Sequence, residues 1–121
     1  MTWWKNDFLK VKNNKLYLEN RTAEQIAKKY GTPLYVYSRK KILKNLRALQ
    51  EAFWPAPTDL EVRLAYAMKA NSNRGILKML LNEGCWVDAV SPGEVEVAVK
   101  AAFPENRIIF TGTSISQKDF E

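Results

Sequence analysis

The chain has 121 residues, 46% of them hydrophobic, which suits one small domain with a modest core and excludes a disordered tail. One cysteine and no histidine exclude an internal disulfide, a histidine base and a Ser-His-Asp triad, and argue against a zinc site. The formal net charge of +6 would suit an anionic partner, but the basic residues are dispersed. Their densest group, Arg39-Lys40-Lys41 with Lys44 and Arg47, opens a predicted helix and is explained by a solvated face. No zinc-finger or RRM pattern and no glycine-rich phosphate loop is present, so no nucleic-acid partner is expected. No apolar run approaches the roughly 20 residues that span a bilayer. Met1-Thr2-Trp3-Trp4-Lys5 lacks the charged-then-apolar order of a secretory signal, so the expected location is the cytoplasm, with no membrane partner.

In chain order, Phe8 to Lys12 and Lys15 to Leu18 predict a hairpin around Asn13-Asn14, because two asparagines tolerate the positive φ of a primed turn. Thr22-Ala23-Glu24-Gln25 reads as a capping box opening a short helix. Gly31 ends that helix, and Pro33 blocks its continuation. Leu34 to Tyr37 predicts a short strand. Ser38 is placed to cap the next helix, whose apolar stripe is Ile42, Leu43, Leu46, Leu49 and Phe53 and which Pro55 and Pro57 terminate.

A regular alternation follows. Val62 to Met68 reads as a strand, Gly75 to Glu83 as a helix stopped by Gly84, and Trp86 to Val90 as a second strand. Ser91-Pro92-Gly93-Glu94 opens a helix running to about Phe103, Arg107 to Thr111 is a third strand, and Ser116 to Asp119 starts another helix. Strand-helix repeats with short links predict parallel strands with right-handed crossovers. In such folds chemistry gathers at the C-terminal ends of the strands. An eight-stranded barrel needs about 250 residues, and only about three of its units are visible. The expectation is the front part of a longer protein, or a truncated gene product, with one sheet edge bare.

Lys69 stands where the first of these strands ends. Strand alternation places it on a face with Ala67, Ala65 and Arg63, opposite Val62, Leu64, Tyr66 and Met68. A partly desolvated amine loses preference for its charged form and gains a lone pair for attack on an aldehyde. The competing explanation is a rim lysine whose stem lies on apolar surface while its head reaches water. Asp88, an acid inside the apolar run Trp86 to Val90, is either paired with a cation or backbone amides, or tunes the lysine or a cofactor. Ser91 and Glu94 fit a capping box with Pro92 at the first helical position. Cys85 fits a small buried residue, and Trp3-Trp4 a packing or interface anchor.

"YAMKANSN" (Tyr66 to Asn73), "DAVSPGEV" (Asp88 to Val95), "FPENRIIFTG" (Phe103 to Gly112) and the upstream "GTPLYVYS" (Gly31 to Ser38) together resemble the diaminopimelate decarboxylase family. That family belongs to the alanine-racemase-like, fold-type-III pyridoxal-phosphate enzymes. The resemblance covers nearly the whole chain and is clearest from Gly31 to Ser116. The Tyr-Ala-x-Lys-Ala-Asn core also suits related basic amino-acid decarboxylases. The Ala-Tyr-Gly-His-Gly continuation of alanine racemases is absent, and the segment from Asp88 to Glu94 favours the diaminopimelate enzymes.

The resemblance implies an α/β fold, the N-terminal part of a (β/α)8 TIM-type barrel. Residues 1–33 would form a hairpin and helix segment of a second, β-rich domain, and residues 34–121 the start of the pyridoxal-phosphate barrel. It implies a homodimeric lyase that converts meso-diaminopimelate to L-lysine and carbon dioxide. Lys69 matches the lysine that bonds to pyridoxal phosphate, and Asp88 a carboxylate beside the cofactor. Asn71 and Glu94 match motif positions only. Cys85-Trp86 and Thr113-Ser114 depart from the usual family residues. The family's phosphate loop, the acidic partner of its pyridine nitrogen, its substrate arginine and its catalytic cysteine come later in the chain, so Cys85 is not that cysteine. The other readings are an inactive remnant or interaction module, and a small basic nucleic-acid binder.

Overall fold

The computed structural model describes residues 6–53, 60–113 and 115–120. Trp3-Trp4, Pro55, Pro57 and Ser114 lie outside the described residues. The chain forms two compact units, residues 1–52 and 53–121.

In the first unit, β1 (Leu9–Lys12) and β2 (Lys15–Leu18) pair antiparallel with Leu9 opposite Leu18 and Lys12 opposite Lys15. Asn13 and Asn14 take φ of 50° and 58°, the left-handed pair that a type I′ turn requires. A two-residue strand, β3 (Arg21–Thr22), joins β2. Thr22 then caps α1 (Ala23–Tyr30): its hydroxyl accepts from Gln25 N at 3.1 Å, and the Gln25 side chain accepts from Thr22 N at 3.0 Å. Both halves of the expected box therefore form. Gly31, at φ +83°, ends the helix with its N–H on the Ala27 carbonyl.

Helix α2 (Arg39–Phe53) begins at Ser38, whose hydroxyl accepts from Lys41 N at 3.1 Å. Leu46 is buried and Ile42 and Leu43 half-buried, while Leu49 and Phe53 stay exposed. Leu34 to Tyr37 is not a strand. It runs without regular structure, and Tyr35 is 90% exposed. An apolar run becomes a strand only when a neighbour takes its backbone hydrogen bonds, and none of the described strands does so.

The second unit is built on a three-stranded parallel sheet in the order β4 (Ala65–Ala67), β5 (Trp86–Ala89), β6 (Ile108–Phe110). Helix α3 (Arg74–Asn82) connects β4 to β5, and α4 (Pro92–Lys100) connects β5 to β6. All three strands are shorter than expected. At β4 the ladder begins where the Leu64 carbonyl accepts from Trp86 N, because β5 itself starts only after the turn at Gly84. The expected strand residues upstream, Val62 and Arg63, have no partner strand opposite them among the described residues. Likewise α4 stops at Lys100 and does not reach Phe103. Ala102 turns left-handed at φ 71°, and Phe103 N bonds back to the Ala98 carbonyl as its ring enters the core.

The core lies on one side of this sheet. Met68, Leu77, Val87, Ala89, Ala98, Ala101 and Phe103 form it, with Tyr66, Ile108 and Phe110 packed against it. Val87 and Ala89 are wholly buried, so the intervening residues of β5 face the other way. Arg74, at the start of α3, donates to the Lys100 carbonyl at 3.0 Å and so serves the C-terminal end of α4.

Candidate functional site

The sheet face opposite the helices carries the candidate site. Paired residues in a parallel ladder share a face, so Ala65 lies beside Trp86, and Asp88 lies between Ala67 and Ile109. Ala65 is exposed and Ala67, Trp86 and Asp88 are half-buried, which leaves this face accessible above two small side chains. The Arg63 guanidinium stacks 4.4 Å from the centre of the Trp86 ring at its lower end and also pairs with Glu61.

Strand alternation does not carry through to Lys69. The ladder stops at Ala67, and Met68 to Ala70 form a 3-10 turn that lies against β5. The break has a packing cause: Met68 is 1% exposed and sits in the core with Leu77 and Val87. The turn then delivers Lys69 to the surface at the C-terminal end of β4, exposed, with no hydrogen bond or ion pair among the described residues. The partly enclosed amine expected at the strand end is instead an exposed one. The Tyr66 hydroxyl donates to the Asn71 carbonyl at 3.1 Å and pins the chain just beyond the turn.

The asparagines of "KANSN" have structural work. Asn71 Oδ1 accepts from Asn73 N at 2.9 Å, and Asn73 Oδ1 accepts from Gly75 N and Ile76 N as the cap of α3. A Cβ on Gly75 would sit 3.1 Å from that same Asn73 oxygen, so glycine keeps the cap close.

Asp88 lies one residue before the end of β5, on the accessible face. Its Oδ1 accepts from the Thr111 hydroxyl at 2.6 Å, a partner that is neither the cation nor the backbone amides of the first sequence-based alternative. Thr111 is held in turn by its N–H on the Ala89 carbonyl at 2.9 Å, one step beyond β6. Thr111 was legible in the sequence only as the residue closing a strand. Its signal was position: the C-terminal end of the strand next to the one bearing Asp88. At Ser91 the cap forms as expected, with the hydroxyl accepting from Glu94 N at 3.3 Å. The Glu94 carboxylate, however, accepts from Val90 N at 2.8 Å and not from Ser91, so it seals the end of β5 to α4.

Cys85 is 3% exposed, and burial followed by the nearby Glu83 charge pushes its thiol above the usual range. It is a packing residue. The first unit holds a cavity of about 620 Å³ lined by Phe8, Leu18, Ile26, Tyr30, Val36 and Ile42 among others, and neither Lys69 nor Asp88 borders it. Among the described residues no cluster of ligating side chains could hold a metal ion, and no helix is long and apolar enough to cross a membrane.

An exposed primary amine just past the end of β4, with a carboxylate near the end of the neighbouring strand, is a donor set that fits an aldehyde cofactor. The comparisons with known proteins agree. The family model for the pyridoxal binding domain of pyridoxal-dependent decarboxylases matches residues 39–121, and the chain belongs to that family. It is 36% identical to the diaminopimelate decarboxylase of Methanocaldococcus jannaschii over 116 residues, covering 94% of this chain and 26% of that one. It is 40% identical to the Bacillus subtilis enzyme of the same name over 97 residues, covering 80% and 22%. The crystal structure of the M. jannaschii enzyme in co-complex with L-lysine superposes with a TM-score of 0.86 at 36% identity, covering 94% and 27%. A lysine/ornithine decarboxylase complexed with cadaverine from Vibrio vulnificus gives 0.71 at 28% identity, covering 80% and 25%. The chain thus spans about a quarter of the length of the relatives it matches. Its fold class is α/β, the start of the barrel of these decarboxylases.

Proposed function

We propose that this chain is the cofactor-anchoring part of a pyridoxal-phosphate-dependent decarboxylase that converts meso-diaminopimelate to L-lysine and carbon dioxide. The observation that carries the proposal is Lys69, an exposed amine with no partner among the described residues, at the C-terminal end of a strand whose neighbour bears Asp88 one residue before its own end. Lys69 holds the cofactor through its side-chain nitrogen. Asp88 places a carboxylate beside it, and Ala65 and Ala67 keep the floor of the site low. When bound, the cofactor supplies a ring that takes up the electron pair released as carbon dioxide leaves. Diaminopimelate is favoured as substrate because the relatives of highest coverage carry that name. Residues 1–33 belong on this proposal to a second, β-rich domain and residues 34–121 to the barrel. The enzyme works in the cytoplasm as a homodimer.

The experiment is chemical. Borohydride reduction in the presence of pyridoxal phosphate, followed by peptide mass mapping, places the pyridoxyl group on Lys69, and Lys69→Ala abolishes it together with turnover of meso-diaminopimelate. Labelling at another lysine overturns the assignment. A second proposal, a related decarboxylase for lysine or ornithine, is favoured by the V. vulnificus likeness. It predicts faster release of carbon dioxide from those amino acids than from meso-diaminopimelate. An isolated chain that binds no cofactor and turns over none of the three behaves as the remnant or interaction module.

A further inference from the structure

The Asp88–Thr111 contact links two strands at the end where Lys69 emerges, and nothing in the capping or core of the fold requires it. We propose that Thr111 is a positioning residue for the cofactor site, acting through Asp88. This role presupposes that Lys69 holds a pyridoxal ring. β5 is the middle strand, with β4 and Lys69 on one side and β6 and Thr111 on the other. A carboxylate at a strand end has two oxygens and a side chain free to swing between rotamers. The Thr111 hydroxyl takes Oδ1 at 2.6 Å, on the β6 side. No contact engages Oδ2 among the described residues, which leaves that oxygen for a group held above β4 and β5. The hydroxyl itself has little freedom, because Thr111 N is tied to the Ala89 carbonyl and the branched side chain is stiff about its first torsion. Gly112 keeps this corner close. A Cβ there would lie 2.8 Å from Phe110 Cζ and 3.2 Å from the Val90 carbonyl oxygen.

The pair thus divides the labour of one carboxylate. One oxygen fixes orientation, and the other faces the ligand. A hydrogen bond to a charged acceptor is worth enough that its loss from a binding site lowers affinity by about tenfold. The donor also draws charge from the carboxylate, so its removal leaves a stronger negative field beside the Lys69 nitrogen.

The test uses purified protein and pyridoxal phosphate, with cofactor affinity from fluorescence and the pH midpoint of the bound cofactor's near-ultraviolet absorbance as readouts. Thr111→Val, similar in shape and lacking the hydroxyl, weakens binding about tenfold and raises the midpoint. Thr111→Ser restores both. In an Asp88→Asn background, Thr111→Val adds less than about twofold, since residues that act as a unit are non-additive. Melting temperature reports folding, and Thr111→Ala carries the test if the valine variant does not fold. Unchanged affinity and midpoint in Thr111→Val, failure of serine to restore them, or a full effect of valine in the Asp88→Asn background would each overturn the role. Borohydride labelling separates the two levels. Label on Lys69 with an inert Thr111 sinks this role alone, whereas no label on Lys69 in the unsubstituted protein sinks the cofactor assignment and this role with it.

Discussion

At the scale of single residues, the chain separates a polar group left open to solvent from one enclosed in the packing. Lys69 is exposed and uncommitted among the described residues, and Cys85 is the opposite case, a nucleophile enclosed by its surroundings. Burial raises the Cys85 thiol, so the folded chain holds its proton to higher pH than the unfolded chain does. Its contribution to stability is fully present below the ordinary thiol value, near about pH 8.5. It declines as pH rises from there through the raised folded value. The expected outcome is a fall in melting temperature above that point that is smaller in Cys85→Ala, and a thiol that reacts with a disulfide reagent only after unfolding. Rapid modification of the native protein would contradict this. The burial of Cys85 agrees with the sequence-based expectation that it is a packing residue.

At the scale of elements, stability sits in the α3–α4 layer under the sheet. Leu77 on α3 has no exposed surface and touches the cluster that includes Met68 and Val87. Leu77→Ala removes it from a close-packed site and is expected to cost about 2–5 kcal/mol, measured by urea unfolding. A loss under about 1 kcal/mol would place the core elsewhere. Much at this scale was legible in the sequence because local chemistry decides it. Asn13-Asn14 dictates the turn, Thr22 and Gln25 the start of α1, Gly84 the end of α3, and the alternation of apolar runs the parallel sheet. What was not legible depends on distant partners. Leu34 to Tyr37 has the composition of a strand and no neighbour among the described ones. The break at Met68 depends on a core pocket formed by α3 and β5. Glu94 reaches Val90 because the strand end, not the helix cap, presents the open N–H. Of the candidate site, Lys69 and Asp88 could be named from the sequence. Thr111 could not, since its bond to Asp88 crosses 23 positions and requires the register of two strands.

At the scale of the whole molecule, the sheet of the second unit is open in two senses. Among the described residues its outer strands, β4 and β6, each pair with β5 alone, and the face bearing Ala67, Trp86, Asp88 and Ile109 is covered by no helix of that unit. Unpaired backbone and a partly apolar face, with Trp86 half-buried and Ile109 39% exposed, favour association. Sedimentation of the purified chain is expected to show a dimer or larger species that strengthens with concentration, whereas a monomer at every concentration would show that these edges and this face do not drive association of the chain. The one-sided core has a further meaning for how such a chain changes over generations. Along β5, Val87 and Ala89 answer to packing in the core, while Trp86 and Asp88 lie on the other face. Drift therefore meets different limits at interleaved positions of a single strand, the first set by what α3 and α4 tolerate and the second by the contacts to Arg63 and Thr111.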